Sequence, residues 1–178
     1  MTPAVRAFLL GVVLTLAVLA VGAFAFTGAG VYPIGADVPH TPLTLRMVER
    51  LRDASTERAS KSVQVPTDLD DPARVAAGAR EYAEECTGCH LAPGRTESEL
   101  RAGLYPQPPN LAEDGMDNDA EAFWIIKHGI KMSAMPAWGR THDDKRIWAL
   151  VAFVRKMPKV SPAQYQAMVG AKATQTDD

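Results

Sequence analysis

Cysteine is scarce in this 178-residue chain, with only Cys86 and Cys89 present. A zinc centre built on them would need further thiols or paired histidines, and no such second half follows. An excess of positive charge is also missing: 19 Lys and Arg stand against 21 Asp and Glu, a formal net charge of −2. So small a balance argues against a nucleic-acid partner. Charge of either sign is absent from Ala7 to Phe26, and after Arg6 no basic residue occurs before Arg46. That run excludes a chain made of one water-exposed domain and nothing else.

What is present is concentrated in Cys86-Thr87-Gly88-Cys89-His90. A C-x-x-C-H motif is the attachment site of a c-type haem, each thiol adding to one vinyl group. The histidine that follows lies where its imidazole binds the iron from one side. A thioredoxin-like redox pair is the rival reading, but such a pair follows a strand and opens a helix, whereas the stretch before Cys86 reads as a helix ending at the motif.

The sixth position of the iron needs its own ligand. Downstream lies Lys131-Met132-Ser133-Ala134-Met135-Pro136-Ala137-Trp138-Gly139. A thioether on a loop punctuated by Gly and Pro suits ferrous iron. Met135 is favoured over Met132 because Pro136 stiffens the backbone after it. His128 is the rival ligand, but it falls on a helix rather than on a bent loop. Met47, Met157 and Met168 read as core filler, and Met116 is open. Ligation by His90 and Met135 closes the iron and leaves one-electron transfer as its chemistry.

Cys86–His90 followed by Met135-Pro136-Ala137-Trp138-Gly139 resembles a class I cytochrome c. The similarity is strongest to small membrane-anchored bacterial monohaem cytochromes related to the cytochrome modules of haem–copper oxidases, and it runs from about Asp71 to Met157. The resemblance implies an all-α fold around one covalent haem c, with the iron (the metal) between His90 and Met135. It also implies that the carbonyl of Pro109 accepts from His90 Nδ1 and orients the imidazole. The Pro109-Asn110-Leu111 segment lies further from His90 than in many family members, so Pro108 and Pro93 compete for that role.

The uncharged run is long enough to cross a bilayer. Arg6 before it places the N-terminus in the cytoplasm and the rest outside, in the periplasm of a bacterium. Residues 1–27 are therefore read as a transmembrane anchor, with a cleaved signal peptide ending near Ala25 as the alternative. Residues 28–70 read as a linker, with a helix near 42–60 capped by Thr41-Pro42. Arg46, Arg50, Arg52, Arg58 and Lys61 make it basic, and Leu43, Met47 and Leu51, helped by Val48, form a narrow apolar stripe. That stripe is expected to pack on the haem domain or a partner subunit. His40 reads as ordinary surface.

Residues 71–170 read as the cytochrome domain and 171–178 as a disordered tail. Asp71-Pro72 opens a helix with Val75, Ala79, Tyr82 and Cys86 on one face, and Gly78 leaves room for a crossing helix. The partner helix carries Ile147, Leu150, Val151 and Val154; Thr141 with Asp144 is expected to open it, and Pro158 to end it. Tyr82 and Phe153 are expected to meet at the crossing. Thr96 with Glu99 should open a short helix stopping at Gly103, and a further helix runs from Asp119 to His128 with Gly129 as its stop. Arg101 and Tyr105 are candidate donors to a haem propionate, or else a surface pair. Trp138 should pack on the haem and offer its indole N–H to a propionate. His142 is expected to be solvated. Ser161 should cap a last helix.

These features point to a membrane-tethered monohaem carrier, with an oxidase or dehydrogenase as redox partner and no bond-making reaction of its own. A fixed subunit of an oxidoreductase complex is the alternative, and a haem enzyme or gas sensor would require an open iron site.

Overall fold

The computed structural model describes residues 1–170, so the expected tail at 171–178 lies outside the described residues. Among them there is no strand, only an isolated bridge between Ala92 and Arg95. The protein is all-α. It divides into two units, Met1–Val38 and the remainder from Pro39 onward.

The first unit is built on α1 (Pro3–Gly28). Thr2 caps it by accepting from Val5 N at 3.4 Å, and Pro3 occupies the first turn, where no N–H is missed. Its side chains are exposed, and it is long and apolar enough to cross a membrane.

The second unit contains seven helices among the described residues: α2 (Pro42–Ser60), α3 (Pro72–Glu85), α4 (Thr87–His90), α5 (Glu99–Ala102), α6 (Asp119–His128), α7 (Asp144–Lys156) and α8 (Pro162–Gly170). Its centre is the crossing of α3 and α7. Asp71 starts α3 by accepting from Ala73 N at 2.7 Å, and Val75, Gly78, Ala79 and Tyr82 form its buried face. A Cβ added to Gly78 would stand 1.8 Å from the Ala149 carbonyl oxygen, so only glycine allows the two backbones to come this close. Tyr82 and Phe153 meet at the crossing with ring centroids 5.3 Å apart, and Phe153 also stacks on Tyr165 of α8 at 5.7 Å. Burial of each such ring stabilises the fold by about 1.5–3 kcal/mol.

Helix ends differ from expectation in two places. Asp143, not Thr141, caps α7, accepting from Arg146 N at 2.8 Å; Thr141 belongs to the preceding turn. Ser98, not Thr96, caps α5. In both cases the residue nearer the helix has the extended backbone that a cap needs. Ser161 and Gln164 cap α8 reciprocally, Gln164 accepting from Ser161 N at 2.8 Å and donating its own N–H to Ser161 Oγ.

Helix α2 packs against α6 by an unexpected face. Leu43, Met47 and Leu51 are 69, 65 and 71% exposed, and Val48 is exposed beside them. The stripe is therefore not docked on residues 71–170, and Met47 is not core filler. The inward face instead runs through Leu45, Glu49, Arg52, Thr56 and Ser60, with Thr56 and Ser60 buried. Thr56 Oγ1 donates to Glu121 Oε1 at 2.5 Å. That bond satisfies groups whose burial without partners would cost about 1–3 kcal/mol.

Two histidines also differ from expectation. His142 is only 7% exposed: Nε2 lies 3.2 Å from Glu81 Oε1, and Nδ1 lies 2.8 Å from Thr141 Oγ1. Glu81 also pairs with Arg146. The buried imidazole thus ties α3 to the start of α7. His40 is half-buried, with its ring edge-on to Tyr105 at 5.4 Å and its backbone N–H donating to the Tyr105 hydroxyl at 3.1 Å.

Candidate haem site

Helix α3 delivers the cysteine motif. Cys86 ends α3 and begins α4, and its carbonyl accepts from Cys89 N at 3.2 Å and His90 N at 2.9 Å. The buried Tyr82 hydroxyl donates to Leu91 O at 2.9 Å, pinning the turn just after His90. Leu91 has φ 62°, an uncommon value for a branched residue, and the chain reverses there. The loop from Leu104 to Leu111 then returns. Leu111 N donates to His90 O at 3.3 Å, and His90 Nδ1 lies 3.1 Å from Pro109 O. A carbonyl only accepts, so Nδ1 carries the proton and Nε2 keeps its lone pair for a metal. Burial lowers the His90 pKa, the bond to Pro109 opposes the shift, and nearby Arg101 adds to it. The ring is thus held neutral, as a metal ligand must be.

The methionine loop is shaped by Gly129, which has φ 65° at the end of α6. A Cβ there would lie 2.7 Å from Met135 O, so a side chain would break the loop's closure. Ile130 N donates to Met135 O at 3.2 Å, and Met135 N donates to Ser133 Oγ at 3.2 Å. Met135 is half-buried, whereas Met132 is fully exposed. His128 is exposed as well, lying against Trp124 with ring centroids 4.9 Å apart.

A cavity of about 460 Å³ brings the motifs together. Cys86, Cys89, His90, Pro109, Met135 and Trp138 all line it, as do the apolar Leu111, Met116, Ile125, Ile126 and Ile130. Its size lies within the range of cofactor sites, and its walls are largely apolar with a few convergent donors. That composition fits a macrocycle with two thioether attachments and an iron held by soft and imidazole ligands. It does not fit a redox dithiol. Burial, with Glu85, Glu81 and Cys89 adding to it, pushes the Cys86 thiol up to about 12, whereas a reactive pair needs a depressed value. Nor do three or more His, Cys, Asp or Glu side chains cluster as a metal site among the described residues.

Arg101 and Tyr105 do not line the cavity. The loop turns them elsewhere: Arg101 Nε donates to Pro108 O at 3.1 Å, and the Tyr105 hydroxyl accepts from His40. Arg101 therefore braces the residue next to Pro109.

Residues 73–154 match the family model described as cytochrome c oxidase, cbb3-type, subunit III. This segment is a c-type cytochrome domain. It is related to the cytochrome modules of haem–copper oxidases, carries covalent haem c, with which the presence of Cys86 and Cys89 in a C-x-x-C-H motif is consistent, and has the all-α class I fold. Electron transfer is the activity that such a domain implies. No curated protein matches the chain.

The contributions that α2 makes to the cavity, Arg52, Asp53 and Thr56, escaped the sequence reading. All three lie outside the matched segment. Their signal was present in the small polar Thr56 and Ser60, which recur at helical spacing on a helix otherwise full of long charged side chains.

Proposed function

We propose that this protein is a monohaem electron carrier tethered to the bacterial inner membrane by residues 1–27. Its haem domain, from residue 71, would stand in the periplasm and pass single electrons between a respiratory or periplasmic donor and an oxidase or dehydrogenase. The observation that carries this reading is the single cavity shared by Cys86, Cys89, His90 and Met135. Arg6 near the N-terminal end of α1, with no basic residue after it before Arg46, supports the orientation.

Bound at that cavity, haem c supplies a one-electron iron couple. His90 Nε2 and the Met135 thioether would hold its iron. The Nδ1–H bond to Pro109 O fixes the imidazole plane and raises its basicity. Arg101 steadies that loop from behind, and Gly129 lets the methionine loop close so that the sulfur is held rather than free. Ile125, Ile126 and Ile130 line the cavity and would keep water from the iron. Trp138 would pack on the macrocycle, with its indole N–H toward a propionate. With His90 and Met135 both holding the iron, the chain would leave no open site for a substrate or a gas, which is why we read a carrier rather than a haem enzyme or sensor.

The matched family's description as an oxidase subunit supports a second reading, that the domain works as a fixed subunit of a membrane complex. Purification in mild detergent separates the two: a carrier leaves the membrane alone, and a subunit leaves it with partners. The haem reading is tested by the double substitution Cys86→Ala, Cys89→Ala. Haem staining after a denaturing gel should disappear, and staining that survives contradicts the attachment site.

A further inference from the structure

Arg52 is the one Lys or Arg side chain that lines the cavity among the described residues. The other ionisable groups on its walls, apart from Cys86, Cys89 and His90, are the carboxyls of Asp53, Glu85 and Glu121. A haem brings two propionate carboxylates into this already acidic surround. Carboxylates taken from water are stabilised by charge-assisted bonds, and arginine's planar fork suits them best.

We propose that Arg52 is the cationic partner of a haem propionate, and that α2 is therefore a wall of the haem site rather than part of a spacer. This assignment rests on the haem reading above. The position of Arg52 is fixed by the chain around it. One turn further along, Thr56 is buried and bonded to Glu121, and Ser60 is buried a turn beyond that. Arg52 Nε donates to Asp53 Oδ1 at 2.8 Å, and its terminal N–H groups make no bond to protein among the described residues. Its side chain is 39% exposed, placing it at the rim of the cavity, where a propionate meets water. Arg101 and Tyr105, the other candidate cation and hydroxyl for this task, do not line the cavity.

The consequence is electrostatic. A cation beside a propionate keeps it ionised to low pH and disfavours the more positive ferric haem. Removing it lowers the reduction potential. It also raises the propionate's pKa, so the fall of potential that accompanies propionate ionisation moves to higher pH.

The experiment is redox titration of the full-length, haem-loaded chain in detergent, from about pH 5 to pH 9. Four variants are compared: Arg52→Gln, Arg52→Met, Arg52→Lys and Arg50→Gln. Arg52→Met keeps an apolar stem on the wall, so lost packing cannot imitate lost charge. Both neutral variants at 52 should show a lower potential and a pH-dependent region displaced upward, with Arg52→Lys restoring most of both. Arg50→Gln, on the exposed face of the same helix, should match the wild type. Wild-type potential and pH profile in both neutral variants overturn the assignment, as does an equal shift in Arg50→Gln. Absence of covalent haem from the wild-type chain overturns the haem reading itself, and this assignment with it.

Discussion

Two helix–helix contacts organise the second unit, and they are made in opposite ways. The α3–α7 crossing is dry and tight, with Gly78 against the Ala149 carbonyl and the rings of Tyr82 and Phe153 in contact. The α2–α6 contact is polar, centred on the Thr56–Glu121 bond, with Leu43, Met47 and Leu51 of α2 turned outward. The first contact holds the cysteine motif in place. The second adds a polar, charged rim to the same cavity. On the proposed reading, a crossing that would place a metal ligand is built from shape, and a rim that would meet carboxylates and water is built from hydrogen bonds.

The contrast breaks most sharply at Gly78. Gly78→Val forces the two backbones apart, and the expected loss is more than about 4 kcal/mol, enough to prevent a stable fold. Thermal unfolding followed by circular dichroism reads it, and a variant that melts like the wild type refutes the close crossing. Phe153→Ala comes next. It leaves a cavity among Tyr82 and Tyr165 and should cost about 3–5 kcal/mol by denaturant titration. Thr56→Val should cost about 1–3 kcal/mol, because Glu121 loses its donor in a half-buried place. If Thr56→Val matches Phe153→Ala, the polar contact is as central as the dry one and the distinction fails. Smallest of all, Leu51→Gln should change the stability of the detergent-solubilised protein by less than about 0.5 kcal/mol. A loss of 2 kcal/mol or more would restore the idea that this stripe packs inward, by the usual magnitude for a buried leucine (~2 kcal/mol).

The same contrast explains what could be read from the sequence. The α3–α7 crossing was legible because its signals are local and apolar: the period of Val75, Ala79 and Tyr82, and a glycine in the middle of a helix where propensity disfavours it. Helix α6 was legible to its bounds because Gly129 marks its stop with a positive φ. The docking face of α2 was not legible, since apolar periodicity points to Leu43, Met47 and Leu51, while the true face is recognised by what Glu121 offers from 65 residues away. His142 was misjudged for a like reason. Nothing beside it in sequence announces Glu81 on another helix. At the site, the cysteine motif and Met135 stood out because each carries a specific chemistry at a short spacing. Arg52 did not, because its relevance depends on a tertiary contact.

The central claim is that one cavity presents His90 and Met135 to a single iron. The most direct measurement is the optical spectrum of the Met135→Ala variant. The account predicts loss of the weak sulfur-to-iron band at the red end of the oxidised spectrum, a lower reduction potential, and carbon monoxide binding to the reduced form. Met132→Ala and His128→Ala should retain the wild-type spectrum, consistent with the exposure of both side chains. A Met135→Ala protein that keeps the band and excludes carbon monoxide, or a Met132→Ala protein that loses the band, contradicts it.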